Sequence, residues 1–155
     1  MRFENPWRYS FLSSGALLLM AACNQPAVGN GDTGEADASA ALTGTTWQWV
    51  ATVTPVETFE SVDPARYTIT LASDGSVAAQ FDCNRGQGTY ETTDNQLDFG
   101  LFAATRMACP EDSQDFVFTR QLEEVTTFFM RDGQLFLELP YDSGTMRFRA
   151  ADEQH

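Results

Sequence analysis

From Leu42 onward, apolar and polar residues alternate at every second position, the spacing of a half-buried β-strand. Over Thr46–Val53, Trp47, Trp49, Ala51 and Val53 fall on one face and Gln48, Val50 and Thr52 on the other. Tyr67, Ile69 and Leu71 alternate with Thr68 and Thr70. Ala72-Ser73-Asp74-Gly75 then turns the chain, and Val77, Ala79 and Phe81 continue on the returning strand. Shorter strands are predicted at Gly88–Thr92 and Gln96–Phe99, linked by Thr93-Asp94-Asn95, with another around Leu101–Thr105. A second hairpin joins Thr127–Arg131 to Gln134–Leu139 through Asp132-Gly133, and Thr145–Ala150 follows a turn at Asp142-Ser143-Gly144. One stretch keeps a different rhythm: Phe118, Leu122 and Val125 recur at helical spacing, with Glu111, Asp112 and Asp115 crowding the start, where a helix dipole favours negative charge. It predicts one amphipathic helix, Ser113–Val125, capped by Asp112 or Ser113. About eight strands and one helix imply a mainly β (α+β) fold. The expected architecture is an antiparallel twisted sheet or partly open barrel, with the helix covering one open side.

The first 41 residues have no such rhythm. Met1–Ser10 carries Arg2 and Arg8, Phe11–Met20 is a short apolar run, and Ala21-Ala22 precedes Cys23. That run falls short of the roughly 20 apolar residues needed to cross a bilayer. Small residues before a cysteine resemble the lipobox of bacterial lipoproteins. Residues 1–22 are therefore expected to be a signal peptide, and Cys23 the acylated first residue of the mature chain. A plain buried helix with an incidental cysteine is the competing reading, but the polar segment that follows offers it nothing to pack on. Asn24–Ala41, rich in small and acidic residues, cannot bury enough surface to offset its ordering entropy and reads as a flexible tether. Residues 23–41 thus form anchor and tether, 42–150 the folded domain, and 151–155 a polar tail.

Charge narrows the list of partners. The chain of 155 residues has 22 acidic side chains against 9 basic ones, all arginine, for a net charge of −13. Removing residues 1–22 takes away Glu4, Arg2 and Arg8 and moves the net charge from −13 to −14. Such a surface repels phosphate backbones and anionic headgroups, so nucleic acid and electrostatic membrane docking are both disfavoured. Attachment to the membrane is expected through the acyl group at Cys23 instead. Asn24, rather than aspartate, after that cysteine favours the outer membrane, with the domain facing the periplasm.

Several local signatures occur in order: Leu42-Thr43-Gly44-Thr45-Thr46-Trp47, Asp74-Gly75, Cys83-Asn84-Arg85-Gly86-Gln87-Gly88-Thr89-Tyr90, Thr105-Arg106-Met107-Ala108-Cys109-Pro110 and Asp132-Gly133-Gln134-Leu135. The series resembles the META domain of heat-shock-type bacterial lipoproteins and covers Leu42–Ala150. The resemblance implies a mostly β domain with a helix after the second cysteine. It implies no established enzymatic activity; members are envelope or secreted proteins, some associated with stress or motility.

Export would place Cys83 and Cys109 in an oxidising compartment, where a disulfide is the leading expectation. It would close a loop of roughly 27 residues and stabilise the domain by roughly 3–3.5 kcal/mol on the chain-entropy model. A reactive thiol or metal pair is the rival, unsupported by any accompanying histidine or third cysteine. Asn84, Arg85 and Arg106, with Gly86 and Gly88, outline a possible binding site beside the sulfurs, either as a backbone nest for an anion or simply as a tight turn. The sole histidine, His155, is the last residue, so no catalytic site or zinc centre built on histidine can be assembled. No catalytic residue, metal or cofactor is expected, and the chain is expected to be a monomer. Phe102, Phe116, Phe128, Phe129 and Phe136 exceed what one sheet face needs and either enlarge the core or line a groove for a peptide or acyl chain. The expected role is non-enzymatic, a binding or stress-related accessory protein whose partner is a protein or hydrophobic ligand. A carboxylate-based hydrolase is one alternative. A protein inhibitor presenting the loop Thr54–Pro64 to a cationic partner is another.

Overall fold

The computed structural model describes residues 41–151. The expected signal peptide 1–22, Cys23, the expected tether up to residue 40, and the tail from residue 152 with His155 lie outside the described residues. Ten strands are present: β1 Thr46–Val53, β2 Thr58–Glu60, β3 Tyr67–Leu71, β4 Ser76–Phe81, β5 Asn84–Thr93, β6 Gln96–Phe99, β7 Ala103–Ala104, β8 Thr127–Arg131, β9 Gln134–Glu138 and β10 Thr145–Ala150. Among the described residues an α-helix, α1 Asp115–Glu123, lies between β7 and β8.

Eight of the strands form a closed antiparallel barrel in the order β1-β3-β4-β5-β6-β8-β9-β10, with β10 pairing back onto β1. The expected mainly β fold with about eight strands and one helix is thus present, and the sheet closes completely. The two extra strands are short additions: β2 pairs with the second half of β1, and β7 with Gly86 and Gln87 of β5. Closure is thinnest between β6 and β8, whose ladder contains the single residue pair Gln96 and Thr127.

Residue alternation builds the interior. Ile69, Leu71, Val77, Leu97, Leu135, Leu137, Met146 and Phe148 are all buried in one continuous cluster. Helix α1 caps this interior with Phe118 and Leu122, both fully buried. The Phe118 ring meets Trp49, Tyr67, Phe81 and Phe148 at centroid distances of 5.2, 5.6, 5.9 and 6.2 Å. Edge-to-face and offset contacts of this kind add to the burial of large aromatic surfaces. The Leu-Thr-Gly-Thr-Thr-Trp segment seals the start of the barrel: Leu42 is buried, Gly44 turns at φ 78°, and the Trp47 indole donates to the Leu42 carbonyl at 3.0 Å.

Strand β1 departs from the simple two-residue pattern. Opposite β10, Trp49 faces Phe148 but Ala51 faces Arg147 and Thr52 faces Met146, so Val50 is an extra residue in a β-bulge. The bulge exchanges the faces beyond it. Thr52, assigned by alternation to the outer face, is fully buried; its hydroxyl accepts from the Trp49 indole at 3.1 Å and donates to Gln121 of α1 at 2.7 Å. Val53, assigned to the inner face, is 45% exposed.

The helix is shorter than its sequence pattern at both ends, and its cap differs. Asp112 is drawn away by Arg66, and Gln114 occupies the cap position without a side-chain capping bond. The Gln114 side chain instead accepts from Val62 N–H at 2.9 Å and donates to the Glu60 carbonyl at 3.0 Å, while its own N–H donates to the buried Tyr67 hydroxyl at 2.8 Å. The expected loop Thr54–Pro64 is partly strand β2, and these bonds tie it to the helix start.

Candidate functional site

The β4–β5 hairpin turns at Asp82 and Cys83, with Asp82 at φ 60°, and so projects Cys83 toward the segment before the helix. Cys83 and Cys109 are joined as a disulfide with a Cα–Cα distance of 5.5 Å. Asn84 sits beneath this bridge, buried, and its amide is fully used. Its Oδ1 accepts from Met107 N–H at 2.7 Å and from the Thr105 hydroxyl at 3.0 Å; its Nδ2 contacts the Met107 carbonyl and Cys109 Sγ, both at 3.2 Å. Thr105 also accepts from Arg85 N–H at 3.1 Å, and its N–H donates to the Arg85 carbonyl at 3.0 Å. Asn84 therefore organises the loop and has no free polar atom for a ligand.

The glycines that follow are neither an anion nest nor a turn, because residues 84–93 are strand β5. They admit close neighbours instead. A Cβ on Gly86 would lie 2.8 Å from the Phe81 ring and 3.1 Å from Ala104 Cβ, and one on Gly88 would lie 3.2 Å from Phe102 and from the Leu101 carbonyl. Segment 101–104 can lie this close along β5, where Ala103 and Ala104 pair with Gln87 and Gly86, only because these side chains are missing. Beside it is an open cleft of about 970 Å³ lined by Ala79, Phe102 and Ala104 and by Arg85 and Arg106. Glu123 of α1 is on the cleft as well. Both arginines are exposed, and neither forms an ion pair among the described residues.

A residue unremarked in the sequence fixes the opposite flank. Arg66 grips Asp82 with two hydrogen bonds of 2.6 Å and reaches Asp112 at 2.9 and 3.3 Å. The hydrogen bonds from Arg66 hold both carboxyls below the usual aspartate range, and the same pairing raises the guanidinium further. Depressed carboxyls are the reverse of what a proton donor requires. The clamp and the disulfide together pin residues 105–113 to the barrel wall.

The META domain model matches residues 40–153. The chain belongs to the META domain family. An NMR structure of a protein from Burkholderia xenovorans is similar at 28% identity and TM-score 0.61, covering 84% of this chain and 97% of that one. A DUF4847-family protein from Bacteroides vulgatus shares the fold at 16% identity and TM-score 0.53, over 74% of this chain and 96% of that one. A third solved structure, also by NMR, does so at 19% identity and TM-score 0.54, over 74% and 95%. No curated protein matches the sequence. In this META domain the Cys-Asn-Arg and Thr-Arg-Met-Ala-Cys-Pro segments, far apart in sequence, form one unit: bridge, buried amide and paired strands. Arg85 and Arg106, singled out in the sequence, share the cleft, whereas Asn84 is not among its lining residues. Phe102, counted among the surplus aromatics, lines it. Of the others, Phe128 is core, Phe129 and Phe136 stack on each other at 4.7 Å, and Phe116 is 73% exposed.

Proposed function

We propose that this META domain protein is a non-enzymatic binding module of the bacterial envelope, acylated at Cys23 and held by residues 24–41 at the periplasmic face of the outer membrane. The observation that carries the reading is two exposed guanidiniums, Arg85 and Arg106, beside the apolar side chains of Ala79, Phe102 and Ala104 on one cleft next to the disulfide-braced loop. Guanidiniums accept a carboxylate through paired hydrogen bonds, and the apolar neighbours give the rest of such a ligand a surface to lie on. The ligand that fits joins an apolar segment to a carboxylate, as an acyl chain or a peptide end does. Stress-related maintenance of envelope components is the broad role consistent with such a site.

The binding reading is tested by titrating the mature protein with dodecanoate, followed by amide chemical shifts. Shifts should cluster at Ala79, Arg85, Phe102 and Arg106 and disappear in the Arg85→Ser/Arg106→Ser double variant. Shifts scattered over the barrel, or unchanged in that variant, would refute the cleft. Anchoring is tested separately: Cys23→Ser should abolish incorporation of labelled palmitate and move the protein from the membrane to the soluble fraction.

A further inference from the structure

The β9–β10 turn holds a second, unrelated site. Tyr141 (φ 58°, ψ 33°) and Asp142 (φ 54°) both lie in the left-handed region, and Ser143 N–H closes the turn on the Pro140 carbonyl at 3.1 Å. Consecutive positive φ values are the pattern of a type I′ turn, where Asn-Gly is favoured. The other positive-φ residues that are not glycine, Asp82, Asp94, Asp132 and Asp142, are all aspartates, which tolerate this region through local hydrogen bonding. Tyr141 is the exception among the described residues. The residue is 99% exposed, so no packing offsets the strain of placing a bulky side chain there. A strained residue that adds nothing to the core directs attention to what it faces.

Tyr141 and Asp142 line a cleft of about 460 Å³ together with Thr54, Thr127, Glu138 and Thr145. The Thr127 hydroxyl, 2.6 Å from Glu138 Oε2, orients that carboxylate, and Leu139 N–H bonded to the Gly144 carbonyl at 2.9 Å fixes the loop base. No arginine lines the cleft, and its carboxylates repel anions. A pyranose presents an apolar C–H face and a rim of hydroxyl donors. An exposed phenol ring suits the first, and the carboxylate acceptors of Glu138 and Asp142 suit the second. We propose that this cleft binds a short neutral saccharide, stacked on Tyr141 with its hydroxyls donating to Glu138 and Asp142.

The test is an amide chemical-shift titration of the full mature chain with N-acetylglucosamine trimer and with maltotriose. At least one trimer should shift residues 53–54, 126–127 and 138–145. Tyr141→Phe should retain binding. Tyr141→Asn suits the left-handed turn, and it should raise the thermal midpoint while weakening binding at least ~10-fold. The proposal is overturned if neither trimer shifts these residues, if Tyr141→Asn binds as the native chain does, or if tri-lysine produces the same shifts more tightly, which would make the cleft a site for basic peptides.

Discussion

Asn84 illustrates how one side chain can hold a loop that has little core of its own. Replacing it with alanine leaves the Met107 amide and the Thr105 hydroxyl without acceptors. A loss of about 2–3 kcal/mol is expected, read from the urea midpoint. The Arg66 clamp makes a different prediction, in pH. The folded-state pKa values of Asp82 and Asp112 are depressed, so their contribution is complete above the unfolded aspartate value of about 3.9 and is lost as pH falls through the folded values. The thermal midpoint should therefore fall as the medium is acidified below about pH 4. Arg66→Met should lower the midpoint at neutral pH and flatten that acid limb. A steep limb surviving in the variant would show that other carboxyls control acid unfolding. In the sequence Asn84, Thr105 and Met107 drew notice through their motifs and Asp112 as a cap candidate, not as a partner of Arg66. Arg66 itself did not, because its partners lie 16 and 46 positions away and nothing local marks them.

At the scale of elements, alternation located most of the strands, because each buries one face. It failed where local context overrides the count of two. The bulge at Val50 is invisible to periodicity, since inserting one residue changes which face is apolar without changing composition. Strand β2 escaped notice because its three residues, Thr58–Glu60, are partly exposed and lie in a polar stretch. Gly86 and Gly88 looked like turn residues, yet they admit the close approach of 101–104 along β5. Gly86→Ala is therefore expected to cost about 2 kcal/mol through overpacking against Phe81 and the backbone of β7. It should also speed amide exchange at Thr105, whose N–H bonds to the Arg85 carbonyl. Exchange at Thr105 no faster than in the native chain would show that segment 101–104 does not depend on the missing side chain.

For the molecule as a whole, two distant closures hold the barrel together: the β1–β10 pairing and the disulfide. Gln48 and Arg149, hydrogen-bonded across the first, are 101 residues apart, which is why fold class could be read from the sequence but the closing pair of strands could not. The disulfide, 26 residues apart, was legible because the cysteine count and an expected oxidising compartment pointed to it. Cys83→Ser/Cys109→Ser should lower stability by about 3–3.5 kcal/mol, chiefly by freeing the unfolded chain. Denaturant titrations of both forms measure the difference, and equal midpoints would mean that Asn84 and the Arg66 clamp alone hold the loop.

The β1–β10 seam also fixes where the described chain enters and leaves the barrel. Ala151 N–H is bonded to the Thr46 carbonyl at 2.8 Å, so the backbone enters and leaves at one pole, while the Tyr141 turn precedes the other end of β10. A reporter fused after Ala151 would therefore leave the Tyr141 turn uncovered. Attached instead at the Asp142 hairpin, it would obstruct the cleft that Tyr141 lines.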